Sequence, residues 1–175
     1  MDVDEAIELT EYDPDWKVHF EDEGIEVLEA LGDSVREIEH IGSTAVEGMK
    51  SKPVVDIMVG VDTLEAISHR VVAMQGIGYE YLGEANVEGR LFFRKRGERN
   101  FNVSVVLYQG EHWQRNLALR DYLREHPEAA DRYVARKEEI VEEEGTDRLV
   151  AYSEAKSELV EELIDEALAW REGGG

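Results

Sequence analysis

At 175 residues, 42% of them hydrophobic, the chain has the length and apolar content of one domain with a buried core. It has no cysteine, which excludes disulfides, thiolate zinc sites and cysteine nucleophiles. Forty-one acidic residues stand against 19 basic ones, a net charge of −22 that argues against non-specific duplex nucleic-acid binding.

Only six of the bases are lysines. A Glu-rich, Lys-poor surface reads as the solvent coat of a protein from a cytoplasm of molar salt, as in a halophilic archaeon, where screening removes self-repulsion. An acidic functional surface is the alternative. No stretch approaches the ~18 apolar residues of a membrane span. Met1-Asp2-Val3-Asp4-Glu5 lacks the apolar region of a signal peptide. The expected location is the cytoplasm, with no membrane partner.

In chain order, Ile7-Glu8-Leu9 reads as a short strand. Asp13-Pro14 opens a helix that ends at Gly32, with Asp13 as cap and Pro14 at the first helical position. Val35 to Ile41 is a strand. Val54 to Val61 is a second, nearly all apolar and therefore buried on both faces. Asp62-Thr63 caps a helix to about Gln75. Arg90 to Arg96 and Phe101 to Tyr108 form an antiparallel hairpin around Gly97-Glu98-Arg99-Asn100. Helices follow at about His112 to Glu125, Pro127 to Glu144 and Asp147 to Glu172, before a frayed glycine tail. The expected fold is α+β: a mixed β-sheet with flanking helices over about 1–110, and a helical C-terminal part over about 111–172 of the same domain. The long C-terminal helices could pair in a homodimer.

The chemistry concentrates between His40 and Val59. Gly42 lets a backbone approach a ligand closely, and Ser43 and Thr44 cap a short helix whose free N–H groups attract anions. Asp56, at the start of the next strand, could hold a metal riding on phosphates, or could pair with Lys52. His40 is a hydrogen-bonded core residue or a general base.

The remaining histidines, His19, His69, His112 and His126, have no metal-like spacing. Ser43 lacks a G-x-S-x-G elbow, and Gly42, Gly48 and Gly60 form neither a P-loop nor a dinucleotide fingerprint. On the hairpin, Arg90, Phe92, Arg94 and Arg96 share a strand face suited to phosphate, or to cross-strand ion pairs. Arg120, Arg124, Lys137 and Lys156 line a pocket or pair along their helices with Asp121, Glu125, Glu138 and Glu139.

Glu39-His40-Ile41-Gly42-Ser43-Thr44-Ala45-Val46 followed by Lys52-Pro53-Val54-Val55-Asp56-Ile57 resembles the GrpB (UPF0157) family, a branch of the nucleotidyltransferase superfamily. Tyr12-Asp13-Pro14-Asp15-Trp16, Leu119-Arg120-Asp121-Tyr122-Leu123-Arg124 and Tyr152-Ser153-Glu154-Ala155-Lys156 extend the likeness over nearly the whole chain. Glu47 stands where the family has proline.

The resemblance implies a triphosphate held on the Gly-Ser turn and Mg²⁺ held by carboxylates. Asp56 matches the first carboxylate. Met58 occupies the second position, and Asn102 and Ser104 stand on the strand expected to supply the third. The expected role is binding of a phosphate-bearing small molecule, a nucleotide or coenzyme derivative, with nucleotidyl transfer weakened or lost. Family domains fused to dephospho-CoA kinase make coenzyme A metabolism one context. The candidate site comprises Asp56 and His40 as catalytic residues, Asp56 as Mg²⁺ ligand, and Gly42, Ser43, Thr44, Lys52, Arg94, Arg96, Arg120 and Lys156 as ligand contacts. The alternative is a non-catalytic binding or scaffold module that keeps the fold.

Overall fold

A computed structural model describes residues 8–143 and 149–174, with side chains over 8–142 and 157–174. Helix α1 (Asp15–Leu31) starts where Asp13 Oδ1 accepts the N–H of Asp15 at 2.9 Å, satisfying a backbone donor left free at the helix start. It ends at Gly32, whose φ of 62° suits glycine. Strands β1 (Val35–Ile41), β2 (Val55–Val61), β3 (Glu80–Tyr81), β4 (Arg90–Lys95) and β5 (Phe101–Leu107) form one sheet in the order β1-β2-β5-β4-β3. β2 runs parallel to β5, and the other neighbours are antiparallel, so the sheet is mixed. The apolar run of β2 is buried along almost its whole length, as its composition requires of an internal strand.

Alternation divides the sheet into two faces. One carries Val55, Ile57, Val59, Phe93, Val103 and Val105, which pack with Trp16, Val27 and Leu31 of α1. Each fully buried side chain of this kind contributes about 1.5–3 kcal/mol. The other face carries Met58 and Val106, which meet Trp113 and Leu117 of helix α3 (Glu111–Glu125). Gly60 makes that approach possible: a Cβ there would lie 2.9 Å from the Trp113 ring. Helices α4 (Pro127–Glu143) and α5 (Leu149–Glu172) complete the C-terminal part. Leu123, Ala129, Tyr133 and Leu163 from the three helices enclose Val46 and Met49 of the loop after β1.

Two local expectations change, and one strand is new. Ile7 lies outside the described residues, and Glu8 and Leu9 are not strand; Thr10 makes an isolated bridge with Ser51 instead. The helix expected to run to Gln75 is a 3-10 turn (Leu64–Ile67) followed by the short helix α2 (Val71–Gly76). The two residues of β3 carry too little pattern to be read as a strand.

Candidate functional site

Register places one row, polar from β2 to β3, across the sheet. Ile41, Asp56, Asn102, Arg94 and Glu80 are successive cross-strand partners from β1 to β3. Asn102 is buried and sits between two charges. It donates Nδ2–H to Asp56 Oδ1 at 3.1 Å, and its Oδ1 accepts from Arg96 Nη2 at 3.1 Å. Arg96 is held in turn by the carbonyls of Lys95 and Phe101. Arg94 Nε donates to Glu80 Oε2 at 3.3 Å.

Ile41, Asp56, Asn102 and Arg94 of this row line a cleft of about 870 Å³. The cleft brings together Gly42, Ser43, Lys52, Asp56, Arg94, Arg96 and Arg120, and α3, α4 and α5 supply its far wall through Asn116, Tyr133 and Ile164. Its lining holds six basic residues (Lys52, Arg90, Arg94, Arg96, Arg115, Arg120) against two acids, Asp56 and Glu161. Three of these bases are ion-paired, Arg94 with Glu80, Arg115 with Glu161 and Arg120 with Glu39, and Lys52, Arg90 and Arg96 add further positive charge to this lining in a chain of net charge −22.

Arg90 adds a directional cue. Its Nη2 donates to the carbonyls of Glu84 and Ala85, and its guanidinium lies 4.6 Å from the Phe92 ring centroid. Its buried Nε has no acceptor among the described residues. Burial lowers its pKa, and the Asp56 carboxylate opposes that shift. A buried donor without a partner costs about 1–3 kcal/mol, which a ligand oxygen would offset.

The Gly-Ser turn differs from the expected helix start. Ser43–Ala45 is a single 3-10 turn, too short to build a macrodipole, so side chains must supply the charge. Ser43 lines the polar cleft, where Lys137 Nζ donates to its Oγ at 2.9 Å. The sequence alone offers Lys137 only helix pairing or general pocket lining. Its signal was position: Ala129, Tyr133, Lys137 and Ile140 share the buried stripe of α4.

His40 and Thr44 lie elsewhere. One step along β1 from Ile41, His40 falls on the opposite sheet face from Asp56, stacked on Phe20 of α1 at 4.9 Å. Its Nε2 shares a 2.9 Å hydrogen bond with the buried Thr44 hydroxyl. Burial, then the charges of Arg124 and Arg120, push its pKa down to about 4. It is a neutral core histidine at pH 7, and the structure separates it from Asp56 as a catalytic partner.

Both residues border a second, larger cleft of about 1140 Å³. Acids outnumber bases there, and two of its cations are paired: Lys50 with Glu138, and Arg120 with Glu39. The smaller cleft, although Arg94, Arg115 and Arg120 are ion-paired there as well, is the one whose lining carries more bases than acids. Arg120 stands between the two, its guanidinium tied to Glu39, Asp121 and the His40 carbonyl. It therefore acts as a wall of the site. The Lys156 side chain lies outside the described residues.

The metal set is incomplete. Met58 shares the Asp56 face but is fully buried in the apolar contact with α3, and Asn102 and Ser104 are neutral. Among the described residues no three His, Asp or Glu side chains group as metal ligands. A two-ion carboxylate site does not fit these residues: Asp56 is the one acid at these three positions.

The family model described as GrpB protein matches residues 6–166. The chain belongs to the GrpB family. The chain is similar to the crystal structure of conserved protein GrpB from Enterococcus faecalis, with a TM-score of 0.86 at 31% identity, over 94% of this chain and 99% of that one. The Glutamate-rich protein GrpB of Alkalihalophilus pseudofirmus is 29% identical, over 90% of this chain and 94% of its own length. A UPF0157 protein of Pseudomonas aeruginosa is 35% identical, over 95% of this chain and 69% of its own. The UPF0157 protein YqkA of Bacillus subtilis is 30% identical over 95% of this chain, which spans about half (49%) of YqkA. No helix among the described residues of this GrpB-family chain is long and apolar enough to cross a membrane.

Proposed function

We propose that the positive cleft binds a phosphate-bearing small molecule, a nucleotide or coenzyme derivative. The observation that carries this reading is the local excess of base: six bases and two acids line one cleft of a strongly acidic chain, and ion pairs to Glu80, Glu161 and Glu39 engage three of the six. Planar guanidinium groups suit phosphate oxygens. Gly42 and Ser43 form one edge, Lys52 and the β4 arginines the electrostatic surround, and Asp56 the place for one Mg²⁺ carried by the phosphates. Bound Mg²⁺ would neutralise phosphate charge there. This cytoplasmic binding role retains the fold of a nucleotidyltransferase without its full carboxylate set.

A second reading, a non-catalytic module working through a protein partner, draws on Met58. Its burial in an apolar contact leaves the second carboxylate position unable to serve transfer. Thermal-shift measurements with nucleotides, coenzyme A precursors and sugar nucleotides, each with Mg²⁺ or EDTA, separate the two. A metal-dependent rise in melting temperature that Asp56→Ala removes supports the first. A flat response across the panel overturns it and favours the second.

A further inference from the structure

We infer that Lys137 is a positioning residue for Ser43, setting its hydroxyl to donate to an anionic oxygen of the ligand. The inference rests on the phosphate-binding reading of the cleft. It begins from an unusual placement: Lys137 is 2% exposed, on a helix whose other charges face solvent or its edges. Lysine is rarely buried so completely unless its charge is satisfied. Two of its hydrogen-bond partners come from far along the chain. Nζ donates to Ser43 Oγ at 2.9 Å and to the Lys50 carbonyl at 2.8 Å, and it lies 4.7 Å from the Tyr133 ring centroid. The ammonium therefore pins both ends of the loop that carries the Gly-Ser turn.

Donor chemistry then determines what Ser43 can do. An ammonium has hydrogens and no acceptor, so in this contact Ser43 Oγ must accept. The single hydroxyl hydrogen is left over. No group among the described residues accepts it, and Ser43 is half-buried on the cleft edge. The complementary group is an acceptor oxygen supplied by a ligand. A positive charge behind the hydroxyl strengthens its donation and favours an anion over a neutral carbonyl. Phosphate meets both requirements.

The test is a double-mutant cycle on the full chain, with inorganic pyrophosphate as probe and calorimetric Kd as readout. Ser43→Ala is expected to weaken binding about tenfold or more, the scale of a hydrogen bond to a charged group. Lys137→Met, which keeps the volume, should weaken it at least as much in the wild-type background and by clearly less beside Ser43→Ala. Where Lys137→Met melts below the assay temperature, Lys137→Arg takes its place, keeping the charge but moving the donor. Non-additivity supports the positioning role. Strictly additive losses would mean that Lys137 acts through the fold or through bulk charge, and would overturn it. Absence of pyrophosphate binding by wild type removes the phosphate reading and this inference together. Binding that Ser43→Ala weakens and Lys137 variants leave unchanged removes this inference alone.

Discussion

Gly42 stands so close to Asp56 that a Cβ at residue 42 would lie 2.5 Å from Asp56 Oδ2. Its backbone, at φ 75° and ψ −173°, also occupies a region that essentially only glycine populates. The Gly-Ser turn and the β2 carboxylate are thus parts of one fitted unit. Gly42→Ala should cost about 1–3 kcal/mol in backbone strain, with a further cost of about 1–3 kcal/mol as Asp56 is displaced. Urea unfolding measures the sum, and unchanged stability would contradict the close approach. Any ligand response that depends on Asp56 should disappear in the same variant.

Asn102 makes a second prediction, because it is the neutral link between Asp56 and Arg96. Asn102→Asp replaces the amide donor to Asp56 with a second carboxylate. Like charges then oppose each other across β2 and β5, at a cost of about 1–3 kcal/mol at pH 7. Mg²⁺ should recover much of that loss by binding between the two carboxylates, so the variant's melting temperature should rise more with Mg²⁺ than that of wild type. An equal Mg²⁺ response in both proteins would show that this corner of the sheet cannot be converted to a metal site.

The sheet and the cleft were legible to different degrees. β2 could be read because an internal strand needs an unbroken apolar run, and Asp56 is its one charge. The β4–β5 hairpin could be read from alternation around a turn. The polar row from Asp56 to Glu80 could not, because its link from Asp56 to Asn102 exists only in the register of two strands far apart in sequence, and β3 is too short to read. The separation of His40 from Asp56 needed that same register, although the opposite orientations of His40 and Ile41 follow from strand geometry alone. Lys137 was hidden for another reason. A lysine on a charged helix suggests solvent, and only its place in the stripe of Ala129, Tyr133 and Ile140 marks it as internal.

His40 links the core to pH. Its pKa is about 4 in the fold against 6.5 for an unperturbed histidine, so the unfolded chain binds a proton over a range where the folded chain does not. Stability therefore falls as pH drops from 6.5 towards 4, by up to a total on the order of 3 kcal/mol at about 1.4 kcal/mol per unit. Above pH 6.5 both states are neutral and the effect vanishes. Urea unfolding of wild type and His40→Gln at pH 7 and pH 5 isolates this residue, since the carboxylates titrate in both proteins. The wild type should lose more stability than the variant on acidification. Equal losses would place the acid sensitivity in the carboxylates.

Net charge sets the last expectation. At −22, with 41 acids mostly on the surface, the folded chain concentrates like charges that the unfolded chain spreads apart. Salt shortens the range of that repulsion from ~10 Å at 0.1 M to ~3 Å at 1 M. The exposed ion pairs Arg36–Asp62 and Arg99–Asp22 weaken as well, but such pairs contribute only about 0–1 kcal/mol each. Relief of repulsion over so many acids outweighs their loss. The melting temperature should therefore rise with KCl up to molar concentration, and a fall would mean that ion pairs dominate the surface. The positive cleft should behave oppositely: pyrophosphate binding there should weaken with KCl, because its attraction is screened by the same salt that stabilises the fold.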